Sequence, residues 1–447
     1  MMMINLFMGI STGSNVLVAQ YYGARNEAAL RHTLHTAIVL ALMVGLTISS
    51  LGFIFAPQIQ TLMNVPDEIK PLALGYLRIL FAGIAFQMMY NMLAGFMRGL
   101  GNSRTPLYTL ILSASINGVL TYIFVIPMQL GVNGSAIATI IAQCISSLTL
   151  LYLLHTGSPM TRIALKEMKL DKFSAVEILK IGMPTAVQQV AMSFGGLLVQ
   201  GTVNSYGTVN IAGYGAAMRV DAFAMMPIMS FGMSMTNYTA QNVGAGRMDR
   251  VRLGVKHGLS LSVGITAFMA SILLLFGRYP LMMFTDNEPT IEAALLMMRT
   301  LVPFYVLNAV NQPLGGVLRG SGETVTPMTN ALMMNLGIRI PLLFLLTDMI
   351  GNITGVYWSQ IGGWCYGFIS MIIIYRRGKW RRKALLRIDE LYGEGVAIDG
   401  VIPEGTVPIH ARQAANHAET ADTDAPSVAS SDAAADKAQD EESGTVQ

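Results

Sequence analysis

The segment GFMRGLGNSRTP at residues 95–106 is repeated as GVLRGSGETVTP at residues 316–327, with a constant sequence offset of 221 residues. Both copies keep the spacing Gly-x-x-Arg-Gly-x-Gly-x-x-x-Thr-Pro. The same distance pairs Ala-Gln-x-x-Gly-Ala at residues 19–24 with its copy at residues 240–245. An ungapped repeat that holds over so many positions predicts two structurally related halves.

The composition excludes an ordinary soluble protein. Hydrophobic residues make up 53% of the 447 residues and charged residues only 12%, whereas a soluble domain has about 25% charged residues. Two cysteines are too few for a disulfide scaffold or a cysteine-based metal cluster, and we expect no metal site and no cofactor. The basic residues lie in short loops between apolar runs, so a nucleic-acid binder is also excluded.

Eleven apolar runs are each long enough to cross a bilayer as a helix, which takes about 20 residues. They lie near residues 1–19, 34–56, 72–97, 106–128, 132–154, 176–203, 209–237, 256–277, 291–318, 326–347 and 352–375. We therefore predict an all-α, multi-pass membrane protein that contacts membrane lipids. Basic residues concentrate in alternate loops, which predicts that those loops and the C-terminus face the cytoplasm. We expect the protein to lie in the plasma membrane.

Six spans separate the repeated elements, so both halves have the same orientation and form parallel repeats around a central cleft. We predict an N-terminal lobe at 1–155, an inter-lobe linker at 156–175 and a C-terminal lobe at 176–376. From residue 377 the chain is first basic and then acidic, and residues 377–447 are predicted to be a disordered cytoplasmic tail. From Asp389 onwards the tail has 13 acidic and 2 basic residues.

The repeat also aligns Met1 with Ala222, so residues 173–221 have no counterpart in the first half. A complete pair of six-helix lobes would have twelve spans. We expect that a first helix is missing upstream of Met1, and the alternative is a natural eleven-span variant.

Polar side chains inside apolar spans are costly in lipid and are expected to face the protein interior. Gln87, Tyr90 and Asn91 share one helical face, and the repeat places them on Asn308, Asn311 and Gln312. These two patches are predicted to form opposite walls of one substrate cavity. The alternative is that the amides only hold neighbouring helices together.

Asp221 is the one carboxylate predicted to lie deep inside a span. It is a candidate to carry a coupling proton or to bind Na⁺. The alternative is a salt bridge with Arg219 or Arg339, which would only fix the packing. We keep all three residues as candidates for the substrate and ion site.

The repeated motifs are predicted to be turns that act as hinges or gates rather than as ligand sites. Their glycines permit the positive φ of a tight turn, and their arginines lie at helix C-termini, where a cation meets the negative end of the helix dipole. The residues concerned are Gln20, Gly23, Gln241, Gly244, Arg98, Gly99, Arg319 and Gly320.

Together these segments, with Ile-Gly-Met-Pro at residues 181–184, resemble the multidrug and toxic compound extrusion (MATE) family from about Met1 to Arg376. The resemblance implies two six-helix lobes with a cleft that opens alternately to either side. It also implies export of organic cations and other small amphipathic drug-like compounds in exchange for H⁺ or Na⁺. We expect a monomeric transporter rather than an enzyme.

Two departures from the family pattern concern the coupling ion. The first helix, which carries a coupling aspartate in one bacterial subgroup, is absent from this sequence. A second subgroup has an acid at the position that Asn308 occupies here.

A flippase for lipid-linked oligosaccharides, from the same superfamily, is the alternative function.

Overall fold

The computed structural model describes residues 2–62, 66–157, 162–163 and 168–392, and the regular elements in these ranges are all helical. The helices are α1 (Met2–Gly23), α2 (Glu27–Leu62), α3 (Lys70–Gly99), α4 (Arg104–Val125), α5 (Gly131–Thr156), α6 (Lys172–Asn204), α7 (Thr208–Gly244), α8 (Met248–Phe276), α9 (Arg278–Met282), α10 (Glu288–Leu301), α11 (Tyr305–Gly320), α12 (Val325–Leu332), α13 (Arg339–Ile350), α14 (Thr354–Arg377) and α15 (Lys379–Tyr392). The predicted all-α fold is confirmed.

The two halves are built as structural repeats, and corresponding helices begin or end 221 residues apart. Helix α3 ends at Gly99 and α11 at Gly320. The turns that follow are also equivalent, because Gly101 has φ +85° and Gly322 has φ +86°. Their backbone N–H groups donate to the carbonyls of Arg98 (2.9 Å) and Arg319 (3.0 Å). The left-handed conformation explains why glycine occupies both positions.

Eleven helical units correspond to the eleven predicted spans, with α10–α11 and α12–α13 each forming one unit. Within the described residues, seven of them are long and apolar enough to cross a membrane. The four others are α1, α6, α7 and α14. Of these, α6, α7 and α14 contribute polar side chains to the cavities described below, which lowers their hydropathy.

Two units of the second half are interrupted. A 3₁₀ turn at Val302–Phe304 contains Pro303 and separates α10 from α11. A π-helix at Met333–Ile338 separates α12 from α13 and ends next to Arg339. Such π segments are uncommon and are often found at functional sites.

Helix α6 begins the second half in sequence but packs most extensively against α1 of the first half. Close packing is possible because glycines of α1 face it: a Cβ at Gly9 would lie 2.3 Å from the backbone of Ala186, and one at Gly13 would lie 2.2 Å from the carbonyl oxygen of Ile178. Asp171 caps the N-terminus of α6 by accepting a hydrogen bond from the N–H of Ser174 (2.7 Å). The two halves therefore meet through α1 and α6.

The prediction of disorder from residue 377 is wrong for the first part of the tail. Residues 379–392 form the amphipathic helix α15, which buries Trp380, Ala384, Ile388 and Leu391. Their spacing of four, four and three residues places them on one helical face, and they pack on the core that also contains α1 and α3. Residues 393–447 lie outside the described part of the chain.

Candidate functional site

A central cleft of about 240 Å³ lies between the two halves. Five pairs of its lining residues are related by the repeat: Met8 and Met229, Thr12 and Met233, Asn15 and Thr236, Asn91 and Gln312, and Arg98 and Arg319. Helix α6 supplies a further wall, formed by Thr185, Gln188, Gln189 and Met192. The cleft is thus lined symmetrically by the two halves and asymmetrically by α6.

A second cavity of similar volume, about 240 Å³, lies within the second half, and we call it the C-lobe cavity. Asp221 and Arg339 are the charged residues of its described lining. It shares Met192, Met229 and Gln312 with the central cleft, so the two spaces adjoin.

Asp221 is held by a tyrosine and not by an arginine. Its carboxylate accepts a short hydrogen bond from the Tyr305 hydroxyl of α11. Arg219 is exposed and lies 5.5 Å from the centre of the Phe284 ring, outside the lining of both cavities. Among the described residues, neither Arg219 nor Arg339 forms a salt bridge. The alternative of a structural salt bridge at Asp221 is therefore wrong.

The first-half polar patch is only partly in the cleft. Asn91 lines it, and its backbone carbonyl accepts a hydrogen bond from Ser11 Oγ (2.6 Å). Tyr90 instead donates its hydroxyl to the carbonyl of Pro106 (3.1 Å) and joins α3 to α4. Gln87 is not among the cavity residues; its backbone carbonyl accepts a hydrogen bond from Asn91 (2.9 Å). Tyr90 thus joins two helices of the first half and does not line the cleft.

The second-half patch faces the cavities more fully. Asn308 lines the C-lobe cavity, and Gln312 lines both cavities. Asn311 is buried, and its amide nitrogen donates weakly to the sulfur of Met334 at 3.6 Å. Of the three predicted repeat pairs, only Asn91 and Gln312 meet in the central cleft.

At the end that carries the basic loops, the two halves close the cleft with reciprocal hydrogen bonds. Gln20 Nε2 of α1 donates to the carbonyl of Gly320 at 3.1 Å, and Gln241 Nε2 of α7 donates to the carbonyl of Gly99 at 2.8 Å. Deeper in the cleft, Asn15 Nδ2 donates to Asn237 Oδ1 at 2.7 Å. The glutamines of the two motifs thus form hydrogen bonds across the interface between the two halves.

The motif glycines allow the closest approach of the two halves. A Cβ on Gly244 would lie 1.9 Å from the carbonyl oxygen of Gln20, and a Cβ on Gly23 would lie 2.0 Å from that of Gln241. Only glycine fits this backbone-to-backbone contact. We call the end of the cleft at which these hydrogen bonds and glycine contacts lie the closed end.

Helix α15 adds a charged network at the closed end. Arg387 donates to Gln20 Oε1 (2.9 Å), to both Glu177 oxygens (3.1 and 3.2 Å) and to Glu390 (2.8 Å). Burial acts to lower the pKa of the Arg387 guanidinium, but Tyr21 and the two carboxylates hold that pKa above its ordinary value. Tyr392 donates its hydroxyl to the carbonyl of Gly244 at 3.0 Å.

Sequence reasoning missed the contributions of α6 and α15. Two adjacent amides, Gln188 and Gln189, inside an apolar run were the available signal for a cleft-lining helix. For α15 the available signal was the spacing of Trp380, Ala384 and Ile388 among basic residues. Neither helix belongs to the repeated segments on which the prediction concentrated.

Comparison with known proteins identifies the family. The MatE family model matches residues 1–123 and 184–345. The chain is 29% identical to the probable multidrug resistance protein YoeA of Bacillus subtilis, over 87% of this chain and 85% of that protein. It is 25% identical to the probable multidrug resistance protein NorM of Thermotoga maritima, over 86% and 85% of the two chains. It is also 25% identical to the multidrug export protein MepA of Staphylococcus aureus, over 83% and 81%.

Solved structures share the fold. A multidrug resistance MATE family transporter of the MOP superfamily, described in an outward-facing conformation, aligns with a TM-score of 0.79 at 22% identity and covers 86% of each chain. A MOP superfamily transporter from Pyrococcus furiosus aligns with a TM-score of 0.79 at 21% identity, again over 86% of each chain. On the family match and the shared two-lobed helical fold, the chain belongs to the MATE family of multi-pass membrane transporters.

Proposed function

We propose that this protein exports small amphipathic compounds across the plasma membrane by alternating access, driven by an inward gradient of H⁺ or Na⁺. The observation that carries the proposal is a cleft between two repeated lobes, closed at one end by contacts between those lobes. Three curated relatives named for multidrug resistance or export support the substrate class.

The closed end has the properties of a gate. Its inter-lobe side-chain bonds are few, and each hydrogen bond between neutral groups contributes only about 1 kcal/mol net. Because the bonds of Gln20 and Gln241 are equivalent under the repeat, they can break together when the lobes separate. The basic loops at this end support a cytoplasmic location, with the C-terminus on the same side.

Asp221 is our candidate for the ion-coupling group. It is the one carboxylate among the described residues that line the two cavities. Its contact with Tyr305 joins α7 to α11. A change in the charge of Asp221 would alter this contact and so couple ion binding to helix movement.

We expect Asp221→Asn to reduce gradient-driven efflux at least tenfold, because asparagine cannot gain or lose a proton and has no charge to attract Na⁺. Asparagine keeps an oxygen that can accept the Tyr305 hydrogen bond, so expression and thermal stability should change little. The measurement is dye efflux from proteoliposomes under an imposed H⁺ or Na⁺ gradient. Collapsing each gradient separately then identifies the coupling ion.

Asp348→Asn is the matched control, because Asp348 is an exposed carboxylate near the end of α13. It should leave efflux unchanged. If Asp221→Asn exports dye at the native rate under the same gradients, Asp221 is not the coupling group. If the native protein moves no dye under either gradient, the proposed function is wrong.

A further inference from the structure

Two arginines lie at the end of the central cleft that is nearest the closed end, and we call this end the floor of the cleft. Arg98 and Arg319 are the penultimate residues of α3 and α11, and both line the cleft close to the closed end. The described lining of the cleft contains no carboxylate, and neither arginine forms a salt bridge within the described ranges. The Nε–H of Arg98 is buried and has no hydrogen-bond partner there.

We propose that Arg98 and Arg319 form an anion-binding site, and that the transported compounds are amphipathic and carry an acidic group such as a carboxylate or sulfonate, in contrast to the organic cations that the family resemblance implies. This inference rests on the proposed export function and names its substrate class. The planar guanidinium group binds such oxyanions through two parallel hydrogen bonds.

The helix dipole alone does not account for these arginines. A cation at a helix C-terminus can bind the last carbonyl groups, but side chains from the opposite lobe already bind several of these carbonyls. The carbonyl of Gly99 accepts a hydrogen bond from Gln241, and that of Gly320 accepts one from Gln20. The backbone carbonyl of Arg98 accepts a hydrogen bond from Asn237 Nδ2 at 3.4 Å. The guanidinium groups are therefore available to the cleft.

The C-lobe cavity, which adjoins the central cleft, does not make the net charge of the combined lining negative. It adds one carboxylate, Asp221, which Tyr305 already binds, and one further arginine, Arg339, whose buried Nε–H also lacks a partner among the described residues. In their described linings, the two cavities together carry three arginines and one aspartate. In a site of low dielectric, this balance favours a negative group over a positive one.

The rest of the cleft suits an apolar body. Met8 of α1 and its repeat partner Met229 of α7 lie on its walls, seven residues before Asn15 and Thr236. Asn15 and Thr236 lie beside Gly99 and Gly320, the residues that follow the two arginines. Because seven helical residues span about 10 Å, the methionine backbones lie about that far along the helices from the backbones of the arginines. Flexible methionine side chains adapt to different apolar shapes. A compound with its acid on the floor and a ring system of about 10 Å above it would fill the cleft.

Fluorescein and rhodamine 123 test this inference, because they share one ring framework and carry opposite charge. We expect the purified protein to bind fluorescein at least tenfold more tightly than rhodamine 123. Arg98→Gln and Arg319→Gln should each weaken fluorescein binding at least tenfold. Arg98→Lys and Arg319→Lys should lose less, because lysine keeps the charge but not the paired hydrogen bonds.

Arg104→Gln is the matched control, because it removes an exposed arginine outside both cavities and should leave fluorescein binding unchanged. Thermal unfolding of each variant separates lost binding from lost folding. Competition with farnesyl diphosphate distinguishes a soluble organic acid from a lipid diphosphate. Strong competition would support the anion site and assign it to a lipid carrier.

Tighter binding of rhodamine 123 would overturn the inference, as would unchanged fluorescein binding in both glutamine variants. The proposed function fails differently. If fluorescein binds through the two arginines but proteoliposomes export neither dye under any gradient, the anion site stands and the export function does not.

Discussion

Gly244→Ala is expected to prevent the two lobes from meeting at the closed end. The added Cβ would lie 1.9 Å from the carbonyl oxygen of Gln20 and 2.8 Å from its Cα. Both are backbone atoms, so no side-chain rotation relieves the clash. Overpacking of this kind costs about 3 kcal/mol, which would shift the equilibrium about a hundredfold away from the closed end.

Loss of the closed end should stop transport, since alternating access needs both states. Gln20 and Gln241 would lose their bonds to Gly320 and Gly99. Spin labels at Ser103 and Arg250, which are exposed at this end on opposite lobes, should report a longer distance. Cys144 and Cys365 are both unpaired and must first be replaced.

Gly264→Ala is the control, because a Cβ there has no neighbour within 4 Å. In a helix, alanine is favoured over glycine by about 1 kcal/mol, so this variant should be as stable as the native protein or slightly more stable. Gly23→Ala should behave like Gly244→Ala, because its Cβ would meet the carbonyl oxygen of Gln241 at 2.0 Å. An unchanged label distance in both variants would show that the closed end tolerates the methyl group.

The repeat and the helices were predictable because both depend on local sequence. Apolar runs fix the spans, and the repeated Gly-x-Gly turns fix where α3 and α11 end. The positive φ values of Gly101 and Gly322 follow from the same local pattern. This level of the fold needs no knowledge of which residues meet across the molecule.

The site was harder to predict because it depends on distant partners. Asp221 accepts a hydrogen bond from Tyr305, 84 residues away, whereas the partners that charge suggested as the alternative were Arg219 and Arg339. Gln87 and Asn91 share one face of α3, yet only Asn91 lines the cleft. Their separation of four positions corresponds to about 6 Å along the helix, and sequence does not give the depth of a cavity. Arg98 and Arg319 looked like turn residues because their neighbours are glycines.

Arg387→Ala is expected to release α15 from the closed end. The guanidinium group binds both lobes, through Gln20 of α1 and Glu177 of α6. The Arg387 side chain is only 11% exposed and that of Glu177 is 21% exposed. Removing one partner of a largely buried ion pair leaves the other charge unpaired, which costs about 3 kcal/mol. Backbone amides of α15 should lose hydrogen-exchange protection, and the labelled lobes should separate more often.

Arg382→Ala separates this effect from a general loss of positive charge, because Arg382 is an exposed residue of the same helix. It should leave exchange and label distance unchanged. If α15 stays protected in Arg387→Ala, its apolar face alone holds it in place, and the ion pair does not contribute to closure.

The two gate interactions of Gln20 should also be coupled. Its amide nitrogen donates to Gly320 while its amide oxygen accepts from Arg387, so the arginine fixes the orientation in which the inter-lobe bond forms. Loss of Arg387 frees the Gln20 side chain to rotate and weakens that bond as well. In a double-mutant cycle, Gln20→Ala and Arg387→Ala should therefore cost less together than the sum of the single variants, by more than about 0.5 kcal/mol. Additive effects would mean that α15 and the inter-lobe bond act independently at the closed end.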